Sequence, residues 1–167
     1  MSVPEKMRAL QVVELGENYK GAGLHEIAVP KPDKGEILLK IRAGSLGFPD
    51  LLMTQGGYQH KPELPFIPGG DVSGEIAALG DGVSGFAVGD RVVTSRLGGA
   101  FAEYNTYRAA TVRKQPQHLD FAPAASLGSA DPTAPVLPLP LPHTVLGARP
   151  PCHGAAGRCG CPPACRA

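Results

Sequence analysis

The side chains of this chain best equipped for chemistry are its thiols, and all four stand together as Cys152, Cys159, Cys161 and Cys165, with His153 beside the first. Four thiols and an imidazole could hold zinc, but the C-x6-C-x-C-x3-C spacing matches none of the paired knuckles that pre-form a tetrahedral site. Ordinary exposed thiols in a disordered segment are the competing account. Elsewhere His25, His60, His118 and His143 are scattered among loops with no carboxylate at a telling spacing, as lone surface imidazoles would be. Asp71, Glu75, Asp90 and Arg91 lie among glycines, and Gly-Asp before a valine pair is first a turn signal. These four read as structural.

Whatever chemistry the chain performs must be positioned by the stretch from Pro65 to Val93. There Gly69, Gly70, Gly74, Gly80, Gly82, Gly85 and Gly89 punctuate short apolar runs. Glycine at that density marks strand ends and bends, with Val72, Ile76 and Val92-Val93 supplying the strands between. The pattern predicts a small, strongly bent β-barrel. Ala9 to Glu14 and Glu36 to Arg42 also have strand character, the second with charges at 36, 40 and 42 against apolar neighbours, as in a half-buried strand. Phe48 to Gln55 reads as a short helix with Pro49 in its first turn and Gly56 just past its end. Asp90 to Tyr107 reads as a hairpin turning at Gly98-Gly99, and Asp120 as the cap of a helix over Phe121 to Leu127.

Bulk properties set the bounds. A chain of 167 residues suits one domain, since domains typically occupy about 100 to 200 residues. A net charge of +1 with 19% charged residues gives no concentrated basic face, so neither nucleic acid nor an anionic membrane is expected as a partner. No apolar run approaches the ~20 residues that span a bilayer, and Met-Ser-Val-Pro-Glu-Lys lacks a signal peptide's apolar core. The expected compartment is the cytoplasm.

Beyond about Ala134 the composition changes. No acidic residue follows Asp131, no aromatic follows Phe121, and Pro138, Pro140, Pro142, Pro150, Pro151, Pro162 and Pro163 break any regular element. Such a composition cannot build a packed core, so the reading is a folded domain over residues 1–128 and an irregular Pro/Gly/Cys-rich tail over 129–167. The tail's Pro, Ala, Gly, Arg and Cys suggest out-of-frame reading of a GC-rich gene.

Three runs in order carry a family resemblance: Pro65 to Ile76, Gly89-Asp90-Arg91-Val92, and Gly98-Gly99-Ala100-Phe101-Ala102-Glu103-Tyr104. With Gly47-Phe48-Pro49-Asp50-Leu51-Leu52, Gly56 and Tyr58 upstream, residues 7 to 134 resemble the medium-chain dehydrogenase/reductase superfamily, in its zinc-free quinone oxidoreductase branch. The resemblance implies a GroES-like catalytic domain followed by a Rossmann domain, a possible homodimer, and NADPH-dependent reduction of quinones or enones. It places Gly47, Phe48 and Thr133 at cofactor-contact positions and makes Tyr58 and Asp50 the catalytic candidates. Gly47 departs from the Asn of many members, and Phe48 is expected to pack in the core more readily than to touch substrate. Asp50 has the competing role of a hydrogen bond within its own loop. Tyr58 could line the pocket or cover a loop, since its hydroxyl can donate where its ring stacks.

The same resemblance argues against zinc. Zinc-binding relatives carry Gly-His-Glu where this chain has Gly69-Gly70-Asp71, and their cysteine would fall near Ser45 to Gly47. His153-Gly154-Ala155-Ala156-Gly157 is similar to the family's phosphate loop, yet Ala148 to Cys152 replaces the strand before it and Cys161-Pro162-Pro163 the helix after it. The tail thus reads as the damaged start of a cofactor domain, and the chain alone is expected to bind no NADPH and to be inactive. Two alternatives stand beside this reading: a non-catalytic GroES-like binding or oligomerisation module, favoured by an exposed strand at 99–107, and a barrel with a metal-binding Cys-rich tail.

Overall fold

The computed structural model describes residues 3–126. Among these residues seven strands and two short α-helices follow in the order β1 (Lys6–Val12), β2 (Ala22–Ala28), β3 (Glu36–Gly44), α1 (Phe48–Thr54), β4 (Asp71–Leu79), β5 (Arg91–Ser95), β6 (Tyr104–Arg108), β7 (Arg113–Lys114) and α2 (Phe121–Ser126). β1 and β2 form an antiparallel pair, and the other five strands form a sheet in the order β6-β3-β4-β5-β7, antiparallel throughout. Single bridges from Ala9 to Ala102 and from Val12 to Phe66 bend β1 across both the end of the sheet and the loop before β4. The result is the mainly-β bent barrel with a few short helices that the sequence predicts.

β4 is the middle strand of the sheet, and beside it β3 is half-buried as expected, with the apolar run Ile37-Leu38-Leu39 covered on both sides. Ile37 and Leu39 project into one cluster with Val72, Ile76, Val92 and Tyr107, while Leu38 projects the opposite way into a second with Met7, Ala9 and Tyr104. Alternate residues of a strand face opposite sides, so an apolar run of three is explained only when both sides are covered. Here β1 covers the second side. Gly74, in mid-β4, shows why glycine is needed within a strand as well as at its ends: a Cβ there would stand 2.2 Å from the Lys40 carbonyl oxygen, beside the register shift between Ile41 and Ala43.

The expected hairpin between residues 90 and 107 is absent. β5 pairs with β4 and β7, β6 pairs with β3, and two strands separate them. Gly98 and Gly99 both have positive φ, but they turn the chain across the barrel mouth, where the Gly99 N–H donates to Ile67 O at 2.6 Å and the Ala100 N–H to Pro68 O at 3.1 Å. A glycine pair specifies a bend, and the free edge of β3 decides where the following strand goes.

Both helices form where expected. Pro49 occupies the first turn of α1, the Gly47 carbonyl accepts the Asp50 N–H, and Gly56 at φ 73° follows the end. In α2 the Ala124 N–H reaches Asp120 O, Ala124 and Ala125 are buried, and Ser73 Oγ donates to Phe121 O at 2.5 Å. Arg91 fastens the approach to α2, donating to Leu119 O at 2.8 Å with its guanidinium 4.3 Å from the centroid of the Phe121 ring. Asp90 accepts the Ala87 N–H and pairs with Lys114, and Glu75 pairs with Arg42. Each therefore has the structural role expected of it.

Candidate functional site

The loop over residues 62–70 is tied to two parts of the barrel, through Gly69 to α1 and through Ile67 and Pro68 to the Gly99-Ala100 bend. On one side, α1 buries the face carrying Asp50, Met53 and Thr54, an i, i+3, i+4 stripe. Asp50 is only 3% exposed, and both carboxylate oxygens accept main-chain hydrogen bonds: Oδ2 from the Gly47 N–H at 2.8 Å and Oδ1 from the Gly69 N–H at 2.7 Å. One acid thus starts its own helix and ties the 62–70 loop to it. Gly69 has φ 94°, and a Cβ would stand 2.6 Å from that of Ala100, so the latch closes only on glycine.

On the other side stands a polar cluster around Gly99. The Tyr107 hydroxyl and Asn105 Nδ2 both donate to the Gly99 carbonyl, at 3.1 and 2.9 Å. Burial pushes the Tyr107 phenol up to about 12, against the opposing pull of Arg96 and the Asn105 hydrogen bond. It is therefore a neutral donor at ordinary pH. Arg96 lies over the Tyr107 ring at 4.9 Å and donates from Nε to Gly98 O at 3.3 Å and from Nη1 to Thr106 O at 3.2 Å. The Thr106 N–H donates in turn to Asn105 Oδ1 at 2.8 Å.

Between the two lies a cleft of about 370 Å³, with Met53, Phe66, Ile67 and Leu97 as apolar wall and Gln11, Arg96 and Asn105 as polar side chains. This size is at the lower end of the ~300–1,000 Å³ of small-molecule sites, and apolar walls with a few convergent donors are their usual composition. Such a cleft can hold a flat ring system and offer hydrogen bonds to its carbonyl oxygens.

The predicted site residues divide. Asp50 is buried in the latch. Gly47 has its N–H and carbonyl both engaged in the cap of α1. Phe48 is 70% exposed, which overturns the expectation of core packing: as the first residue of α1 it falls on the far side from the 50/53/54 stripe. Tyr58 is half-buried against Val12, Met53 and Phe66, two of which wall the cleft, so it supports that wall from behind. Thr133, His143, His153 and the four cysteines lie outside the described residues. His25, His60 and His118 are exposed. Ser45 and Asp71, at the positions weighed for zinc, are joined by a hydroxyl-to-carboxylate hydrogen bond of 3.0 Å. Among the described residues no three of His, Cys, Asp or Glu stand together as a metal site, and no helix is long and apolar enough to cross a membrane.

Sequence reasoning missed Gln11, Ile67, Arg96 and Asn105. For Arg96 a signal existed, since an arginine two residues before Gly98 in a Gly-Gly bend lies within reach of the carbonyls that the bend turns outward. For the others there was none, because their convergence depends on the crossing of β1 and on the true partner of β6.

Residues 33–117 match the alcohol dehydrogenase GroES-like domain, about half of the chain. The chain belongs to that family. Human quinone oxidoreductase is 41% identical over 123 residues, which are 73% of this chain and 37% of the human protein. The quinone oxidoreductase of Coxiella burnetii superposes with a TM-score of 0.73 at 30% identity, over 78% of this chain and 44% of that one. A mycobacterial relative solved in complex with NADPH superposes at 0.65 and 35% identity, over 72% of this chain and 37% of that one. The GroES-like chain is thus a quinone oxidoreductase-like member of the medium-chain dehydrogenase/reductase superfamily, spanning less than half the length of these relatives.

Proposed function

We propose that this GroES-like barrel is the substrate-facing part of a zinc-independent, NADPH-dependent quinone or enone reductase. The observation that carries the reading is the cleft itself, of about 370 Å³, where the apolar side chains of Met53, Phe66, Ile67 and Leu97 meet the N–H donors of Gln11, Arg96 and Asn105. When bound, a nicotinamide would supply the hydride. The residues of this chain orient the acceptor and exclude water from it. The donor set supports zinc-independence: the positions weighed for ligands hold Ser45, Gly69, Gly70 and Asp71, oxygen donors and glycines where a catalytic zinc takes three ligands usually including His or Cys.

In this reading Asp50 and Gly47 position the pocket floor, Tyr58 supports its wall, and Phe48 presents an exposed ring beside the latch. Thr133 keeps the cofactor-contact role that the resemblance implies. The reading takes about residues 1–128 as the substrate-facing unit and, on their sequence alone, residues 129–167 as the remnant of a cofactor domain's start. Hydride transfer needs a bound nicotinamide, so a barrel of this kind without a nucleotide-binding domain would not turn over. The interaction-module alternative asked for an open strand at 99–107, but β6, although last in its sheet, has its Thr106 N–H and carbonyl occupied by Asn105 and Arg96.

The test has two arms. Equilibrium dialysis against neutral anthraquinone-2-carboxamide should show saturable binding that Leu97→Trp, at the 52%-exposed rim, abolishes. NADPH fluorescence titration of the same chain should show no saturation. Binding indifferent to Leu97→Trp overturns the cleft assignment, and micromolar NADPH binding overturns the inactivity of the chain.

A further inference from the structure

We propose that the cleft selects planar carbonyl compounds that carry a negative charge, such as quinone or enone carboxylates, and that Arg96 is the residue that reads the charge. The inference rests on the cleft being the substrate site and adds the class of substrate. Arg96 is the one charged side chain among the residues lining the cleft. The ion pairs of the described residues engage Lys6, Arg8, Arg42 and Lys114, so no carboxylate among those residues neutralises Arg96.

The guanidinium is nevertheless held in place. Nε and Nη1 donate to the carbonyls of Gly98 and Thr106, and the plane lies over the Tyr107 ring, which leaves Nη2 without a hydrogen bond among the described residues. Two neutral carbonyls and an aromatic face stabilise a cation without cancelling its charge. Holding the side chain in advance removes part of the ordering cost that a free surface arginine would incur on binding. Arg8 and Arg42 show the contrast, since each is matched to a glutamate, Glu103 and Glu75 respectively. The Tyr107 phenol beside Arg96 stays protonated at ordinary pH, so no phenolate competes for the guanidinium. An anion entering the cleft meets a fixed, uncompensated donor at one rim and apolar walls around its rings.

The test is equilibrium dialysis of the full chain against anthraquinone-2-carboxylate and anthraquinone-2-carboxamide. Their quinone double bonds are fused into benzene rings, so neither adds to the cysteines. The carboxylate should bind about tenfold more tightly than the amide, the scale of one charge-assisted hydrogen bond. Arg96→Gln should bring that ratio to about one, Arg96→Lys should retain part of it, and added salt should reduce it. Equal affinities in the wild type, or a preference that persists in Arg96→Gln, overturn charge selection and leave the cleft assignment standing. Failure of both probes to bind overturns both. If Arg96→Gln does not fold, as circular dichroism would show, Arg96→Lys decides: an unchanged salt-insensitive ratio rejects the proposal, and a reduced salt-sensitive one supports it.

Discussion

Asp50 ties the 62–70 loop to α1 and Arg96 lines the cleft that the same loop helps to wall, and the fold treats the two charges in opposite ways. Asp50 is buried, and both oxygens are consumed by main-chain N–H groups. Arg96 is exposed and held by two carbonyls and a ring, with hydrogen-bonding capacity remaining. The first charge builds the site and the second is available to it. A polar group fully satisfied inside a protein contributes shape, whereas one fixed at a cleft rim contributes recognition.

The largest expected break in this contrast is Asp50→Ala. It leaves the Gly47 and Gly69 N–H groups without their acceptor and should cost about 3 kcal/mol in urea unfolding, with Asp50→Asn recovering part by keeping one oxygen. A loss below about 1 kcal/mol would remove the latch from the account.

On the Arg96 side the next effect is alkaline. The Tyr107 phenol is raised from 10.0 in the unfolded chain to about 12 in the fold, so its contribution is fully present below pH 10 and is lost as pH rises from there through about 12. By pH 12 the wild type should have lost about 2 kcal/mol more than Tyr107→Phe, as unfolding free energies measured across that window would show. Parallel profiles would mean that the phenol is not buried as described.

Smaller still is Ser73→Ala, which removes the tie from β4 to the Phe121 carbonyl. About 1 kcal/mol of stability should go, together with faster proteolysis near α2, and unchanged cleavage would show that Ala124 and Ala125 suffice to dock the helix. The smallest effect is that of Arg96→Gln on stability. An exposed cation over a ring contributes under about 1 kcal/mol, so denaturant midpoints should barely move. A large loss there would make Arg96 a structural residue like Asp50 and erase the contrast.

Much of the scaffold was legible in advance because local rules governed it. Pro49 and Gly56 bracket α1 by their own backbone preferences, and β3 announces itself through Ile37, Leu38 and Leu39. The site was less legible. Asp50 could be read as a loop acceptor, but its second bond crosses to Gly69, nineteen residues on. Phe48 looked like core because it is aromatic, yet helix phase turned it outward. Gly98-Gly99 looked like a hairpin because the strands on either side are neighbours in sequence, and in the sheet they are not.

What the sequence determined by itself was most of the inventory of strands, bends and short helices, β2 and β7 excepted, together with membership in a family whose motifs occur in order, because periodicity, proline, glycine and motif spacing act over a few residues at a time. What only the tertiary structure decided was partnership. β6 goes to β3, β1 covers Leu38, Asp50 meets Gly69, and Arg96 comes to rest over Tyr107 at the rim of a cleft. Those outcomes depend on which apolar faces and open strand edges remain to be covered once the whole chain has collapsed, and no local stretch carries that information.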